Sequence, residues 1–234
     1  MWEQVSEFSS NLEVSHFFLL AILVGLEAVL SADNAIALAS ISQSLPDSQT
    51  QQKALNIGLL IAFILRMSMI VTATWVIKFW QFELLGALYL LWLVYNYFSS
   101  RGENESGEMK VEKHVSLWQV IPMIALTDLA FSLDSITTAI AISEETWLIL
   151  TGATLGIIAL RFLAQLFITW LDEYVHLEMA GYLTVGLVGL RLLVRVIDHD
   201  LVPPEWLMIL TIAVMFTWGF SQKVPVESES EAEN

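Results

Sequence analysis

Long runs of apolar residues alternate with short polar stretches along the whole chain. A helix needs about 20 apolar residues to cross about 30 Å of hydrocarbon. The runs also lack a period of two, which favours helices over a β-barrel. The chain is therefore predicted to be an all-α, polytopic membrane protein with seven transmembrane helices. The predicted spans are residues 17–41, 54–77, 82–98, 117–142, 147–171, 177–194 and 206–220.

The composition agrees with a chain that is solvated by lipid. Hydrophobic residues make up 56% and charged residues 15%, whereas about 25% of a typical soluble domain is charged. A net charge of −15 excludes nucleic acid as a partner, because phosphate would be repelled. We expect one transmembrane domain over residues 1–222, with an acidic cytoplasmic loop at 99–115 and an acidic disordered tail at 223–234.

Lysine and arginine in the predicted loops set the expected orientation. Lys78 and Arg195, with Arg191 close by, lie on the side of the N-terminus. The positive-inside rule places the N-terminus outside and the C-terminus in the cytoplasm, because the other side carries more cations. The cations on that other side are Lys53, Arg101, Lys110, Lys113 and Lys223.

A polar motif in the first predicted span occurs again in the fourth. The segment from Glu27 to Asn34 matches the segment from Asp128 to Ser135, and Arg66 in the second span corresponds to Arg161 in the fifth. Two three-helix repeats, 17–98 and 117–194, explain these matches and leave 206–220 as an extra helix. Three is an odd number, so the second repeat is inverted in the membrane, an arrangement found in secondary transporters.

The repeated motifs place oxygen-bearing side chains in the middle of apolar spans. An ionised carboxylate there costs several kcal/mol or more unless something compensates it. Because cysteine is absent and the four histidines lie outside or at the ends of spans, the donors favour Mg²⁺, Ca²⁺ or Mn²⁺ over Zn²⁺ or copper. The candidate ligands are Glu27, Asp33, Asn34, Asp128, Asp134 and Ser135. The supporting or charge-compensating residues are Arg66, Arg161, Ser31 and Ser132.

Helix geometry limits how these residues can share one ion. In a straight helix Glu27 and Asp33 are about 9 Å apart along the axis. A shared site therefore needs side chains from both halves, or a helix that loosens near Asp33 and Asp134. The alternative is a purely structural network, in which Arg66 and Arg161 neutralise the acids.

The motifs resemble the paired signatures of the TerC/Alx integral membrane proteins. The resemblance rests on GLEAVLSADNAIA at 25–37 and ALTDLAFSLDS at 125–135 and covers about residues 17–221. It implies a seven-helix protein of manganese homeostasis that exports Mn²⁺, with a site formed by the six candidate ligands. Plant relatives are tied to thylakoid membrane biogenesis, which implies a possible second role in membrane-protein assembly.

We therefore expect a transporter rather than an enzyme, with Mn²⁺ as the exported substrate and the two halves rocking about a midplane site. The expected partners are the divalent ion and the bilayer of a cell (inner) membrane or a thylakoid membrane; the sequence assigns no oligomeric state. The alternatives are a Ca²⁺ or Mg²⁺ transporter and an assembly scaffold. An intramembrane aspartyl protease with Asp33 and Asp134 as its pair is less favoured, because the Gly-x-Gly-Asp pattern is absent.

Overall fold

The computed structural model describes residues 2–73, 79–105, 116–143 and 145–224, and this part of the chain is helical. The predicted all-α class is confirmed there, since strand-like pairing is limited to an isolated bridge between Tyr174 and Lys223. The α-helices are α1 (Trp2–Gln43), α2 (Ser48–Val71), α3 (Trp80–Glu105), α4 (Leu117–Ile142), α5 (Thr146–Glu173), α6 (Leu177–Ile197) and α7 (Glu205–Gly219). A 3-10 turn, His199–Leu201, separates α6 from α7.

Within the described ranges, four helices are long and apolar enough to cross a membrane, namely α2, α4, α5 and α6, while α7 is apolar but shorter. Seven spans in two inverted repeats remain a prediction. Two helices are longer than expected: α1 begins at Trp2 and α3 continues to Glu105, into the predicted loop. The rest of that loop, 106–115, and the tail from 225 lie outside the described residues.

The start of α2 is fixed by a side-chain cap. The carboxylate of Asp47 accepts a hydrogen bond from the backbone N–H of Thr50 at 2.8 Å, which satisfies one of the N–H groups that a helix start leaves unpaired. Hydrogen bonds from the Thr50 side chain and backbone lower the pKa of Asp47 below its ordinary value. The cap positions α2, and with it Arg66, relative to α1.

The principal helix contacts form a pattern that is kept when the first three helices are exchanged with the next three. The principal contacts are α1 with α5 and α4 with α2, which are equivalent pairs under that exchange. The contact of α1 with α6 likewise corresponds to that of α4 with α3, and α3 with α6 is its own equivalent. Two similar three-helix units would pack in this way, and α7 adds to the outside of α6.

The second half of α1 runs through the centre of the molecule, where residues 35–39 are buried. Large apolar side chains are exposed on the outside of the molecule, among them Phe17 of the first half of α1, Leu60 and Ile64 of α2, and Phe162 of α5. An apolar exterior of this extent is unusual for a soluble monomer and suits a lipid surrounding. The polar motifs are thereby placed in the interior, away from lipid.

Candidate functional site

Arg66 of α2 lies buried between α1 and α4 and contacts two acids at once. One terminal nitrogen of its guanidinium group pairs with Oε1 of Glu27. The other, Nη2, lies 2.9 Å from Oδ1 of Asp128. The side chains of Arg66 and Asp128 are 2% and 0% exposed, so each charge depends on the other for compensation in a low dielectric.

Asp128 also receives hydrogen bonds from the first motif and from its own helix. The carboxamide nitrogen of Asn34 donates to Oδ1 of Asp128 at 2.8 Å. The Ser132 hydroxyl donates to the Asp128 carbonyl at 2.6 Å and lies 3.4 Å from Oδ2. The two motifs therefore meet at Asp128. We call Glu27, Asn34, Arg66, Asp128 and Ser132 the Arg66 cluster.

A close approach of α5 to α1 directs Glu27 into this cluster. A Cβ atom on Gly156 would overlap the Glu27 side chain, and one on Gly152 would lie 3.2 Å from Cβ of Leu23. Small residues four apart permit close packing of membrane helices. The sequence analysis missed these two glycines, although their G-x-x-x-G spacing is visible in α5.

A small cavity adjoins the Arg66 cluster on the side of α5. Its volume is about 20 Å³, and its polar lining comes from Glu27, Arg66 and Ser135. This is room for about one water-sized occupant. The hydroxyl of Ser135 donates to the Ser132 carbonyl at 3.3 Å, so the second motif contributes to the cavity wall.

Asp134 lies in a separate group of charges with α6. Arg191 pairs with Oδ2 of Asp134, and Nη1 of Arg195 lies 2.5 Å from Oδ1. We call these three residues the Asp134 cluster. The sequence analysis assigned Arg195 to a loop, with Arg191 close by inside the predicted span 177–194; the structure places both in α6, which corrects the assignment of Arg195. Their spacing of four residues, which places them on one face of α6, was the available signal.

The predicted role of Arg161 in compensating the acids is also corrected. Arg161 is half-buried on α5, where Nε pairs with Oδ1 of Asn56 and Nη1 lies 3.3 Å from Oε1 of Gln165. It faces α2, and Asp134 obtains its cations from α6 instead. Arg66 and Arg161 correspond in sequence but have different surroundings.

Two further candidates, Ser31 and Asp33, lie in the first motif on α1. Ser31 is buried in α1, and the side chain of Asp33 lies outside the described part of the structure. Both α1 and α4 are continuous helices through Asp33 and Asp134, so packing of the two halves, without loosening, brings the motifs together. Among the described side chains, no three of His, Asp and Glu converge as a metal site.

A single family model matches the part of the chain that contains both clusters. Residues 12–225 match the family described as "Integral membrane protein TerC family". Over 205 residues, the chain is 37% identical to the uncharacterized membrane protein YceF of Bacillus subtilis, covering 85% of this chain and 79% of that one. It is 30% identical over 213 residues to the uncharacterized membrane protein YkoY of the same organism, covering 84% of this chain and 65% of the relative.

A further relative is the UPF0053 inner membrane protein YgdQ of Escherichia coli K12. Identity to it is 27% over 196 residues, which cover 76% of this chain and 81% of the relative. No solved structure matches the chain.

Proposed function

The chain belongs to the TerC family of integral membrane proteins, and from this premise we propose that it exports a divalent cation, Mn²⁺ first, across the inner membrane of the cell. The family resemblance supports Mn²⁺ and the outward direction. Ca²⁺ and Mg²⁺ prefer the same oxygen donors, so they are the competing substrates that an experiment has to separate.

The observation that carries this proposal is the meeting of the two motifs at Asp128. Asn34 and Asp128 come from different halves of the chain and are joined by a buried hydrogen bond. Carboxylate, carboxamide and hydroxyl oxygens surround this point, and these are ligands that hard divalent cations accept. A site between the halves is also where a transporter built from repeats binds its substrate.

The guanidinium group of Arg66 lies between Glu27 and Asp128, where it supplies the positive charge that a bound metal ion would otherwise supply. Buried carboxylates require a positive partner at every stage of a cycle, because an uncompensated charge in the bilayer is expensive. In the proposed cycle the divalent ion displaces the guanidinium group from the carboxylates. The guanidinium group returns when the ion leaves, so that neither state contains unpaired acids.

The proposed architecture is seven transmembrane helices in two inverted repeats that rock against each other. The packing pattern supports two similar units, because exchanging the two triplets of helices leaves the principal contacting pairs the same. Arg195, which the sequence analysis counted among the loop cations, lies in the last turn of α6 and pairs with Asp134. The cation excess on the side of the C-terminus becomes larger as a result, which supports a cytoplasmic C-terminus.

Flux in proteoliposomes tests the proposal. Purified protein is reconstituted with a metal-sensitive dye inside, and Mn²⁺, Ca²⁺ and Mg²⁺ are added in turn. We expect the wild type to transport Mn²⁺, and Asp128→Asn and Glu27→Gln to lose at least tenfold in rate. Asp172→Asn is the matched control, because that acid is exposed on α5 and only accepts a hydrogen bond from Gln43. Wild-type vesicles without flux of any divalent ion, or unchanged flux in both site variants, would overturn the proposal.

A scaffold role in membrane-protein assembly is the second candidate, and one observation favours it. Glu27, Asp128 and Asp134 each contact an arginine, as a purely structural network would require. The two site variants separate the candidates when their folding is checked by gel filtration. Loss of flux in a variant that elutes like the wild type supports transport. Wild-type protein that carries no divalent ion, together with variants that no longer elute as folded protein, supports the scaffold.

A further inference from the structure

A second cavity, much larger than the one beside Arg66, lies where α3, α4 and α6 meet. Its volume is about 370 Å³. We call it the α3–α6 cavity. Its lining consists of Leu93, Asn96, Tyr97, Ser100, Met123, Glu178 and Tyr182.

This cavity lies near one membrane surface. It is formed by the last turns of the membrane part of α3, the first turns of α4 and the first turns of α6. Tyr97 and Tyr182 stack there with ring centroids 3.8 Å apart, and tyrosine is enriched at the level of the lipid headgroups. In the proposed orientation this surface faces the cytoplasm, from which an exporter takes its substrate.

Polar groups continue from the cavity towards the Arg66 cluster. The hydroxyl of Tyr89 donates to the carbonyl of Met123 at 3.0 Å and lies 3.1 Å from the hydroxyl of Thr127. Thr127 directly precedes Asp128 in α4. Met123 lines the cavity and is only about 7.5 Å from Asp128 along the helix axis.

The size and charge of the cavity suit a hydrated cation. Six waters around an ion occupy about 180 Å³ at about 30 Å³ each, which the α3–α6 cavity accommodates and the smaller cavity does not. Glu178 supplies a carboxylate from the first turn of α6, where the helix dipole stabilises negative charge. Asn96 and Ser100 add neutral oxygens that can bond to the waters of the ion.

We propose that the α3–α6 cavity is the cytoplasmic uptake site, where Glu178 holds the hydrated divalent cation before it passes Tyr89 and Thr127 to reach Asp128. This rests on the proposed transport function. The ion exchanges water for protein oxygens only in the Arg66 cluster. Glu178 thus acts on the capture of the ion, and Asp128 acts on its translocation.

Transport kinetics separate the two steps. We expect Glu178→Gln to raise the KM for Mn²⁺ about three- to tenfold with kcat unchanged, because one charge close to water attracts the ion with a screened strength. The difference in KM should shrink at high salt. Glu173→Gln is the control: that exposed acid lies at the end of α5 on the same side and pairs with Lys223 at 3.7 Å.

The absence of cysteine from the chain permits a second test that requires no loss of charge. Ser100→Cys introduces a single thiol on the lining of the cavity. Ser99→Cys places the same thiol on the preceding position of α3, which is equally exposed but is not part of the cavity lining. A positively charged methanethiosulfonate reagent, added from the cytoplasmic side, should slow Mn²⁺ transport by Ser100→Cys and not by Ser99→Cys. Mn²⁺ should slow the labelling of Ser100→Cys only.

The outcomes distinguish failure of this inference from failure of the proposed function. An unchanged KM in Glu178→Gln, or full transport after complete labelling of Ser100→Cys, overturns the uptake site even if Asp128→Asn abolishes flux. If the wild type carries no divalent ion at all, the proposed function fails and the uptake site fails with it.

Discussion

Asn34 donates a hydrogen bond to Asp128 over 2.8 Å, and the two residues occupy non-equivalent positions of the repeated motif. In the alignment of the two repeats, Asn34 corresponds to Ser135, and Asp128 corresponds to Glu27. Ser135 and Glu27 both line the small cavity of about 20 Å³. The direct hydrogen bond between Asn34 and Asp128 thus corresponds to two residues that share a water-sized cavity, so the two halves of the site are not identical.

Asn34→Ala should lower the free energy of unfolding by about 1–2 kcal/mol, because it removes a hydrogen bond to a buried carboxylate that keeps its other partners. Thermal unfolding in detergent measures the change. Asn56→Ala is a matched control, since Asn56 is exposed and pairs with Arg161 on the surface; its effect should stay within about 0.5 kcal/mol. Equal effects of the two variants would contradict the importance of the Asn34–Asp128 contact.

The two repeat-related arginines should differ sharply in mutational cost. Arg66→Met leaves Glu27 and Asp128 without their cation, so we expect a loss of about 3–5 kcal/mol. Arg161→Met removes a half-buried contact to amide groups, and we expect a loss of about 1 kcal/mol or less. Chemical denaturation of both variants gives the comparison. Added Mn²⁺ should raise the stability of Arg66→Met more than that of the wild type, if the ion and the guanidinium group compete for the same carboxylates.

Much of the Arg66 cluster was predictable from sequence because charges are so rare within apolar spans. Glu27, Asp128 and Arg66 all interrupt such runs, and each would be costly in lipid unless it found one of the others. The repeat then indicated that the two motifs face each other. These inferences depend on composition and spacing, which sequence contains directly.

The partners of Asp134 were not predictable in the same way. Arg191 and Arg195 lie near the end of an apolar run, where the positive-inside rule interprets cations as loop residues. Which way they face depends on the rotation of α6 about its own axis, and that rotation is set by its packing against α3, α7 and α1. The partner of Arg161 was not predictable from sequence either. The repeat makes Arg161 equivalent to Arg66, but in the structure Arg161 contacts Asn56.

A methyl group on Gly156 should disturb the site from α5. Gly156→Ala places Cβ against the Glu27 side chain, so α1 and α5 have to separate, at an expected loss of about 1–3 kcal/mol. Gly186→Ala is the control, because its Cβ would meet Val94 at an ordinary 3.5 Å and should change stability by less than about 0.5 kcal/mol. A neutral Gly156→Ala variant with normal flux would show that Glu27 tolerates displacement.

The Asp47 cap at the start of α2 should make the free energy of unfolding depend on pH under acidic conditions. The folded-state pKa of Asp47 is lowered, mainly by hydrogen bonds from Thr50. Its contribution is therefore complete above the pKa of an unfolded aspartate, about 3.9, and is lost as the pH falls through the lower folded value. Asp47→Ala should be less stable than the wild type near neutral pH, and the difference should diminish below about pH 4. A difference that stays constant from neutral pH to about pH 3 would contradict the capping role.

Ser135→Asn should make the second half of the site resemble the first. The added carboxamide occupies the small cavity and reaches towards Glu27, as Asn34 reaches Asp128. We expect stability to rise by about 0.5–1.5 kcal/mol from the new hydrogen bond and Mn²⁺ flux to fall, because the space beside the carboxylates is filled. Ser135→Ala removes the same hydroxyl without filling the cavity, and we expect it to lower flux less than Ser135→Asn does. A Ser135→Asn variant that is stabilised but transports at the wild-type rate would exclude the cavity from the path of the ion, while leaving the contact between Asn34 and Asp128 as the link between the two halves.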